Sequence, residues 1–385
     1  MSAGTGPSAD VFVEILREVR RFVRERVVPL EERIDDTDQI PQTLREQAKQ
    51  MGLFGFATPP EYGGIGLTLS QEVELAIELG WTTPAFRAMF GTNNGIAGDV
   101  LLLGGTPEQK RSLLPRLASG DLVAAFALTE PEAGSSPADL STSARAEDGD
   151  WVIDGLKRFI TNAPEADLFM VFARTSKEDR AIDGISAFVV SADTPGIAVG
   201  PAERKMGQHG AHVADVTFDG VRVGVESLVG GAVGDGYRTA LSCLAHGRVH
   251  IAAICVGLAN RLVHESVSWA TQRSQGGKPI IGHQLVAAMV ADSQAELMAA
   301  RALVREVAGA YDAGTDTRLG PASAKLFCSE MVGRVADRAV QIHGGAGYVE
   351  GTVERLYRDA RLFRIYEGTS EIQKLVIAGE LARSR

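Results

Sequence analysis

Val11, Phe12, Ile15, Leu16, Val19, Phe22, Val23 and Val27 recur at helical spacing with Arg and Glu between them, so the chain opens on an amphipathic helix. Pro29 ends or kinks it, because proline cannot supply the next backbone donor. The same period predicts helices near Leu44–Met51, Ser70–Leu79 and Pro84–Leu103, the last opened by Thr82 and Thr83 ahead of Pro84. Another starts at Pro107 and ends near Gly120. The first third therefore reads as helical.

From about Leu122 the period changes. Leu122–Thr129 is a short apolar run that ends at Glu130-Pro131. Trp151–Ile153 and Leu156–Thr161 flank Asp154-Gly155, which predicts a hairpin turn at that dipeptide. Leu168–Arg174, Ile185–Val190 and Val213–Phe218 continue the strand pattern with no amphipathic helix between them. That predicts an antiparallel meander or barrel-like domain rather than a parallel βαβ sheet. Gly230 to Gly236 reads as a flexible join. Helical spacing then returns over Tyr237–Arg273, His283–Asp312, Pro321–His343 and Ser370–Arg383, long elements suited to a four-helix bundle. The expected class is α+β: an N-terminal helical domain (1–121), a middle β domain (122–235) and a C-terminal helical bundle (236–385). No fixed-period repeat interrupts this plan.

Composition narrows the picture. The 385 residues are 45% hydrophobic, enough for a large core or for two to three smaller ones. A net charge of −10 argues against general nucleic-acid binding, although a local basic cluster can still hold an anionic ligand. Cys243, Cys255 and Cys328 are sparse and unpatterned, which fits a reduced, cytoplasmic setting. Met1 to Asp10 lacks the basic start and apolar core of a secretory leader, and no stretch nears the roughly 18 apolar residues of a membrane span.

Chemistry concentrates in a few strings, each with an ordinary alternative. Ala127–Ser135 places hydroxyls and backbone amides just after a strand, where they can cradle an anion or a ring edge, or simply form a strand exit. Phe159 and Thr161, two apart, share a sheet face and can meet the plane and edge of one flat cofactor; a half-buried strand has the same look. His246 and His250 stand at i and i+4, a zinc-compatible spacing, but no third ligand or helix glutamate accompanies them, so no metal site is expected. Gly344–Gly347 follows a helix rather than a strand and is not a dinucleotide fingerprint. Glu367 lies in a short break beside Gly368, with Thr369 and Ser370 opening the final helix. A carboxylate there can act as a general base, or it can be a solvated loop residue.

Taken in order, several strings resemble the acyl-CoA dehydrogenase family over nearly the whole chain. They are Thr129-Glu130-Pro131 with Ala133-Gly134-Ser135, Phe159–Asn162, Lys205-Met206-Gly207, Gln341 with Gly344-Gly345 and Gly347-Tyr348, and Tyr366-Glu367-Gly368-Thr369. The resemblance implies oxidation of an acyl-CoA thioester to the trans-2-enoyl thioester. A carboxylate takes the α-proton and flavin N5 takes the β-hydride. By match, Glu367 is the base, its N–H helps hold the thioester oxygen, and its pKa is expected to rise as substrate buries it. Relatives that carry the base on the long helix have it where Gly247 stands, and Arg248 matches an arginine near the base.

The resemblance also assigns FAD contacts to Phe126, Leu128, Thr129, Ser135, Phe159 and Thr161, and across a subunit interface to Arg273, Gln284, Gln341 and Gly345, with Thr369 and Glu371 completing the set. Ser135 and Gly368 match positions near the acyl-CoA. It implies a homo-oligomer, usually a tetramer, an electron-transfer flavoprotein as electron acceptor, and a place in fatty acid β-oxidation. Three departures stand out. Phe159 replaces a usual Trp, Ser136 follows the motif serine where Asp is usual, and Gly276 replaces an aromatic three residues after the interface arginine. The alternatives are a flavin oxidase or monooxygenase of the same fold and a non-catalytic binding relative.

Overall fold

The structure is a computed structural model and describes residues 6–178 and 180–383. The reading of Met1 to Asp10 as leaderless falls partly outside these residues. The helices of the first third are α1 (Ala9–Phe22), α2 (Glu31–Thr37), α3 (Gln42–Gln50), α4 (Leu69–Leu79), α5 (Pro84–Asn94), α6 (Gly98–Gly104) and α7 (Pro107–Ser119). The predicted stripe continues past α1 through one π-helical stretch, Val23–Val27, and a 3-10 turn at Pro29. The expected single helix Pro84–Leu103 is two. Gly95 adopts a non-helical conformation, φ −119° and ψ −125°, and α6 restarts at Gly98. Thr68 and Thr106 close capping boxes with Gln71 and Gln109, which fixes where α4 and α7 begin.

Among the described residues seven strands form the middle sheet: β1 (Ala124–Ala127), β2 (Ser143–Glu147), β3 (Asp150–Thr161), β4 (Leu168–Arg174), β5 (Ile185–Ser191), β6 (Ile197–Val199) and β7 (Val213–Gly224). Two expectations need correction. The sheet is mixed, because β1 runs parallel to β4 with Ala124 opposite Leu168. Asp154-Gly155 is not a turn either. β3 is continuous through it and shifts register there, while Asp148 and Gly149, both at positive φ, turn β2 into β3. Asp154 instead spends its carboxylate inside the sheet, accepting from the Gly220 N–H at 2.6 Å.

The last third is α8 (Gly236–Gln272), the hairpin β8 (Ser274–Gln275) and β9 (Lys278–Pro279), then α9 (Gln284–Asp312), α10 (Leu319–His343), α11 (Thr352–Ala360) and α12 (Ser370–Arg383). α8, α9, α10 and α12 make the bundle, and α4 packs across α8 and α9 to join it to the N-terminal helices. One apolar core accordingly runs from Val19 and Phe54 through Ile254 to Val332 and Phe363. α8 does contain a window long and apolar enough to cross a membrane, contrary to expectation, but 78% of that window is buried inside the fold, which makes α8 the core helix.

Close crossing of α4 and α8 depends on glycine. A Cβ on Gly257 would lie 2.3 Å from the Ile77 carbonyl oxygen and 2.7 Å from the Gly80 Cα, both backbone atoms that cannot step aside. Gly257→Val should therefore separate the helices and lower stability by about 1–3 kcal/mol, read as a lower urea midpoint.

Candidate active site

The three apolar cores meet at a cavity of about 360 Å³ walled by α5, β1 and its following loop, β3, the first half of α8, and the turn before α12. Phe126, Leu128, Thr129, Ser135, Phe159, Thr161, Arg248, Glu367 and Gly368 all line it. The sequence-derived residues on β1, β3, α8 and the last turn thus converge on one space.

The loop from Leu128 to Thr142 is fastened from below by a buried ion pair. Lys157 Nζ lies 2.8 Å from Glu130 Oε1 and 3.2 Å from the Leu128 carbonyl, and Glu130 also accepts from the backbone N–H groups of Ser141 and Thr142. Burial disfavours the Glu130 carboxylate, but the Lys157 ammonium and these hydrogen bonds outweigh it and hold the group at about 2. On β3 a second bulge follows Lys157, and Phe159 takes a positive φ, so the strand's simple alternation fails there. Phe159 lines the cavity and is 56% exposed, with the Arg158 guanidinium 4.8 Å from its ring centroid.

Glu367 also has a positive φ, followed by Gly368 at φ 90°. Three side chains hold this turn by its carbonyls. Lys325 Nζ donates to Gly368 O at 2.7 Å, Gln373 Nε2 donates to both carbonyls at 3.0–3.1 Å, and Arg248 Nε reaches Glu367 O at 3.4 Å. Among the described residues the Glu367 N–H has no partner. Its Oε2 is sealed from solvent and equally unpartnered, although the residue as a whole keeps some exposure to the cavity. Burial raises the Glu367 pKa above the ordinary carboxylate range, while Arg87, Lys325, Arg248 and His246 pull against it. Burial likewise lowers the Lys325 ammonium to about 8.

Gly247 gives this carboxylate its room. A Cβ there would lie 2.4 Å from Glu367 Oε2. Gly368 is equally constrained, since its positive φ disfavours any side chain and a Cβ would meet Gln373 Nε2 at 2.5 Å.

Other expected site residues lie elsewhere. Arg273 caps the far end of α8, Gln284 opens α9, Gln341 lies in the last turn of α10 and Gly345 in the 3-10 turn that follows it; all four are exposed. Trp269 stacking on His343 at 5.1 Å brings the ends of α8 and α10 together. The 26 residues of helix from Gly247 to Arg273 span about 39 Å, too far for one chain to bring both to one small cofactor. Gly276 and Gly277 supply the positive-φ turn between β8 and β9, and the His283 ring lies 3.5 Å from where a Gly276 side chain would begin. Thr369 caps α12 by accepting from the Ile372 N–H, and Glu371 is exposed on its first turn.

The sequence reading missed Arg87, Lys325 and Gln373. A lone basic residue amid the apolar runs Ala85–Phe90 and Ala322–Cys328 was the available signal. His246 and His250 are engaged by side chains: His246 contacts Asp99 and Glu72 at 2.6 and 2.8 Å, and His250 contacts Glu72 at 2.6 Å.

Comparison with known proteins gives three matches along the chain: the acyl-CoA dehydrogenase N-terminal domain over residues 12–121, the middle domain over 125–221 and the C-terminal domain over 234–382. An "Acyl-CoA dehydrogenase" of Bacillus subtilis is 38% identical, covering 95% of this chain and 96% of its own. "Caffeyl-CoA reductase-Etf complex subunit CarC" of Acetobacterium woodii is 35% identical, covering 96% and 98%. Among solved structures, butyryl-CoA dehydrogenase from Megasphaera elsdenii superposes with a TM-score of 0.93 at 32% identity, covering 98% of this chain and 99% of that one. An acyl-CoA dehydrogenase complexed with FAD from Bacillus anthracis gives 0.90 at 32% identity, covering 98% and 67%.

Gly247→Ala should push the Glu367 carboxylate aside without unfolding the chain. A displacement near 1 Å predicts about a 10²-fold loss of turnover at an unchanged melting temperature, measured by steady-state assay and thermal scan.

Proposed function

The chain belongs to the acyl-CoA dehydrogenase family, and on that premise we propose that Glu367 takes the α-proton of an acyl-CoA thioester, giving the trans-2-enoyl thioester. The observation that carries this reading is a buried carboxylate whose Oε2 and backbone N–H are both unpartnered at one cavity wall. The α-proton goes to Oε2 as H⁺, and the β-hydrogen leaves with its electron pair. The free N–H donates to the thioester oxygen, where negative charge develops as the α C–H breaks. Arg248 and Lys325 stabilise that charge from behind and keep the turn from collapsing.

FAD fits this cavity. The Thr129, Ser135 and Thr161 hydroxyls line it beside the exposed Phe159 ring and make no hydrogen bond with the rest of the chain among the described residues. Such a set suits a flat ring with polar edges. Phe126 and Leu128 complete the apolar side. When bound, FAD supplies the acceptor for the β-hydride. Arg273, Gln284, Gln341 and Gly345 belong, on this reading, to the flavin site of a neighbouring subunit, with Thr369 and Glu371 completing the set; the span of about 39 Å along α8 from Gly247, beside Glu367, to Arg273 supports a homo-oligomer, a tetramer by family resemblance. Ser135 and Gly368 then contact the acyl-CoA. An electron-transferring flavoprotein is the proposed acceptor, supported by the Etf-associated relative. Cytoplasmic β-oxidation of fatty acyl chains remains the proposed setting.

Two outcomes test the assignment. Glu367→Gln should retain FAD but slow anaerobic flavin bleaching by acyl-CoA at least 10²–10⁴-fold; full bleaching by this variant would remove Glu367 as the base. The wild-type bleaching rate should fall as pH drops through the raised Glu367 pKa, because only the ionised carboxylate accepts a proton.

A further inference from the structure

A buried hydrogen-bonded chain runs from the core to the cavity and is used by nothing described so far. Asp99 Oδ2 meets His246 Nδ1 at 2.6 Å, and His246 Nε2 meets Glu72 Oε2 at 2.8 Å. Glu72 Oε1 meets His250 Nδ1 at 2.6 Å, and Arg87 Nε donates to His250 Nε2 at 2.8 Å. Four elements contribute: α4, α5, α6 and α8. Glu72, Asp99 and His250 are at most 5% exposed. Polar groups are not kept this deep unless each is answered.

The direction of each bond follows from the chemistry. Arginine only donates, so His250 Nε2 accepts and its proton stands on Nδ1, facing Glu72. Burial and the nearby Arg87 charge hold His250 neutral, at about 4. For His246 burial opposes protonation, but carboxylates on both sides outweigh it and hold the imidazole protonated. Burial raises Asp99. The chain therefore ends in one oriented acceptor for one guanidinium. The Phe56 ring stacks on His250 at 5.8 Å and 6°, fixing its plane.

Arg87 is the cavity end of this chain. Gly91, one turn on, leaves room for its guanidinium; a Cβ there would meet Arg87 Cζ at 2.6 Å. Among the described residues no carboxylate lies within ion-pair distance of Arg87, yet it shares the cavity wall with Glu367. A cation fixed at the wall without a carboxylate partner of its own acts on the unpartnered carboxylate that lines the same cavity, Glu367 Oε2.

We propose that His250, anchored by Glu72 and His246, is a positioning residue that aims Arg87 across the acyl cavity so that its guanidinium stabilises the Glu367 carboxylate. This rests on Glu367 being the base. The charged and titratable groups acting on Glu367 are Arg87 from α5, His246 and Arg248 from α8, Lys325 from α10, and Tyr366 beside it. Of the four cations, Arg87 alone is held by a dedicated buried chain rather than by the catalytic turn or by flanking carboxylates.

The experiment measures anaerobic flavin bleaching against pH in the holoenzyme. It is paired with infrared titration of the protonated Glu367 carboxyl band, identified by its loss in Glu367→Gln. Removing a positive charge destabilises the ionised base, so Arg87→Met should move both curves to higher pH and lower the acid-side rate roughly tenfold. His250→Leu leaves Arg87 charged but unaimed and should move both the same way, with roughly a threefold loss. His250→Gln, which can still accept from Arg87, should restore the wild-type curves. Flavin content and melting temperature report folding, and if His250→Leu does not fold, the curves of Arg87→Met and His250→Gln decide. Equal loss at every pH with an unmoved carboxyl band would overturn the proposal. So would a change confined to the ranking of acyl-CoAs that carry a tail carboxylate, since Arg87 would then serve the substrate. Bleaching by Glu367→Gln would instead sink the base assignment itself, so the two failures are distinguishable.

Discussion

The middle of the 37-residue helix α8, residues 247–259, is buried at every position and leaves no face for solvent, and the rest of this molecule is arranged around that constraint. Burying the apolar groups of α8 stabilises the fold in proportion to area. The same burial obliges every polar group on it to find a partner. Arg248 therefore reaches the Glu367 carbonyl, His246 is bracketed by carboxylates from α4 and α6, and His250 sits between Glu72 and the Arg87 guanidinium. The elements packed on α8 are chosen as much by these polar demands as by apolar fit.

The glycines of α8 solve the opposite problem. At Gly257 the helix admits the backbone of α4, and ten residues earlier Gly247 admits a carboxylate. Both spaces have the same origin, a missing Cβ in a close-packed interior, but one is filled by structure and the other by chemistry. The turn that fills the second is over-determined: three side chains hold two consecutive carbonyls of a backbone at positive φ. Such a conformation persists only where its surroundings fix it.

The proposed chemistry and the packing are therefore one arrangement. A base must be dry enough to compete for a weakly acidic α-proton and still be ionised when substrate arrives. Desolvation supplies the first property and raises the Glu367 pKa. Nearby cations limit that rise: Arg248 and Lys325 are held by the two carbonyls of the turn itself, and Arg87 by His250. The proposed flavin-side residues arrive separately, on β1, β3 and a loop secured by the Lys157–Glu130 pair.

Local periodicity determined much of this protein. The positions of α1, α3, α4, α7, α8, α9, α10 and α12, the strand block between them, and the break at Glu367 are legible because side-chain period and capping chemistry act over a few residues; the short helices α2 and α11 and the break between α5 and α6 were not. Gly247 was legible too, as a position without a functional group. The sequence could not tell the Asp148-Gly149 turn from the Asp154-Gly155 bulge, because both dipeptides tolerate positive φ and only pairing with β7 decides between them. It could not place β1 beside β4, since strand order is set by contacts far apart along the chain. Nor could it join Glu72, Arg87, Asp99, His246 and His250. Their partnership exists only where four elements cross, and what binds them is the cost of leaving any one of them alone in a dry core.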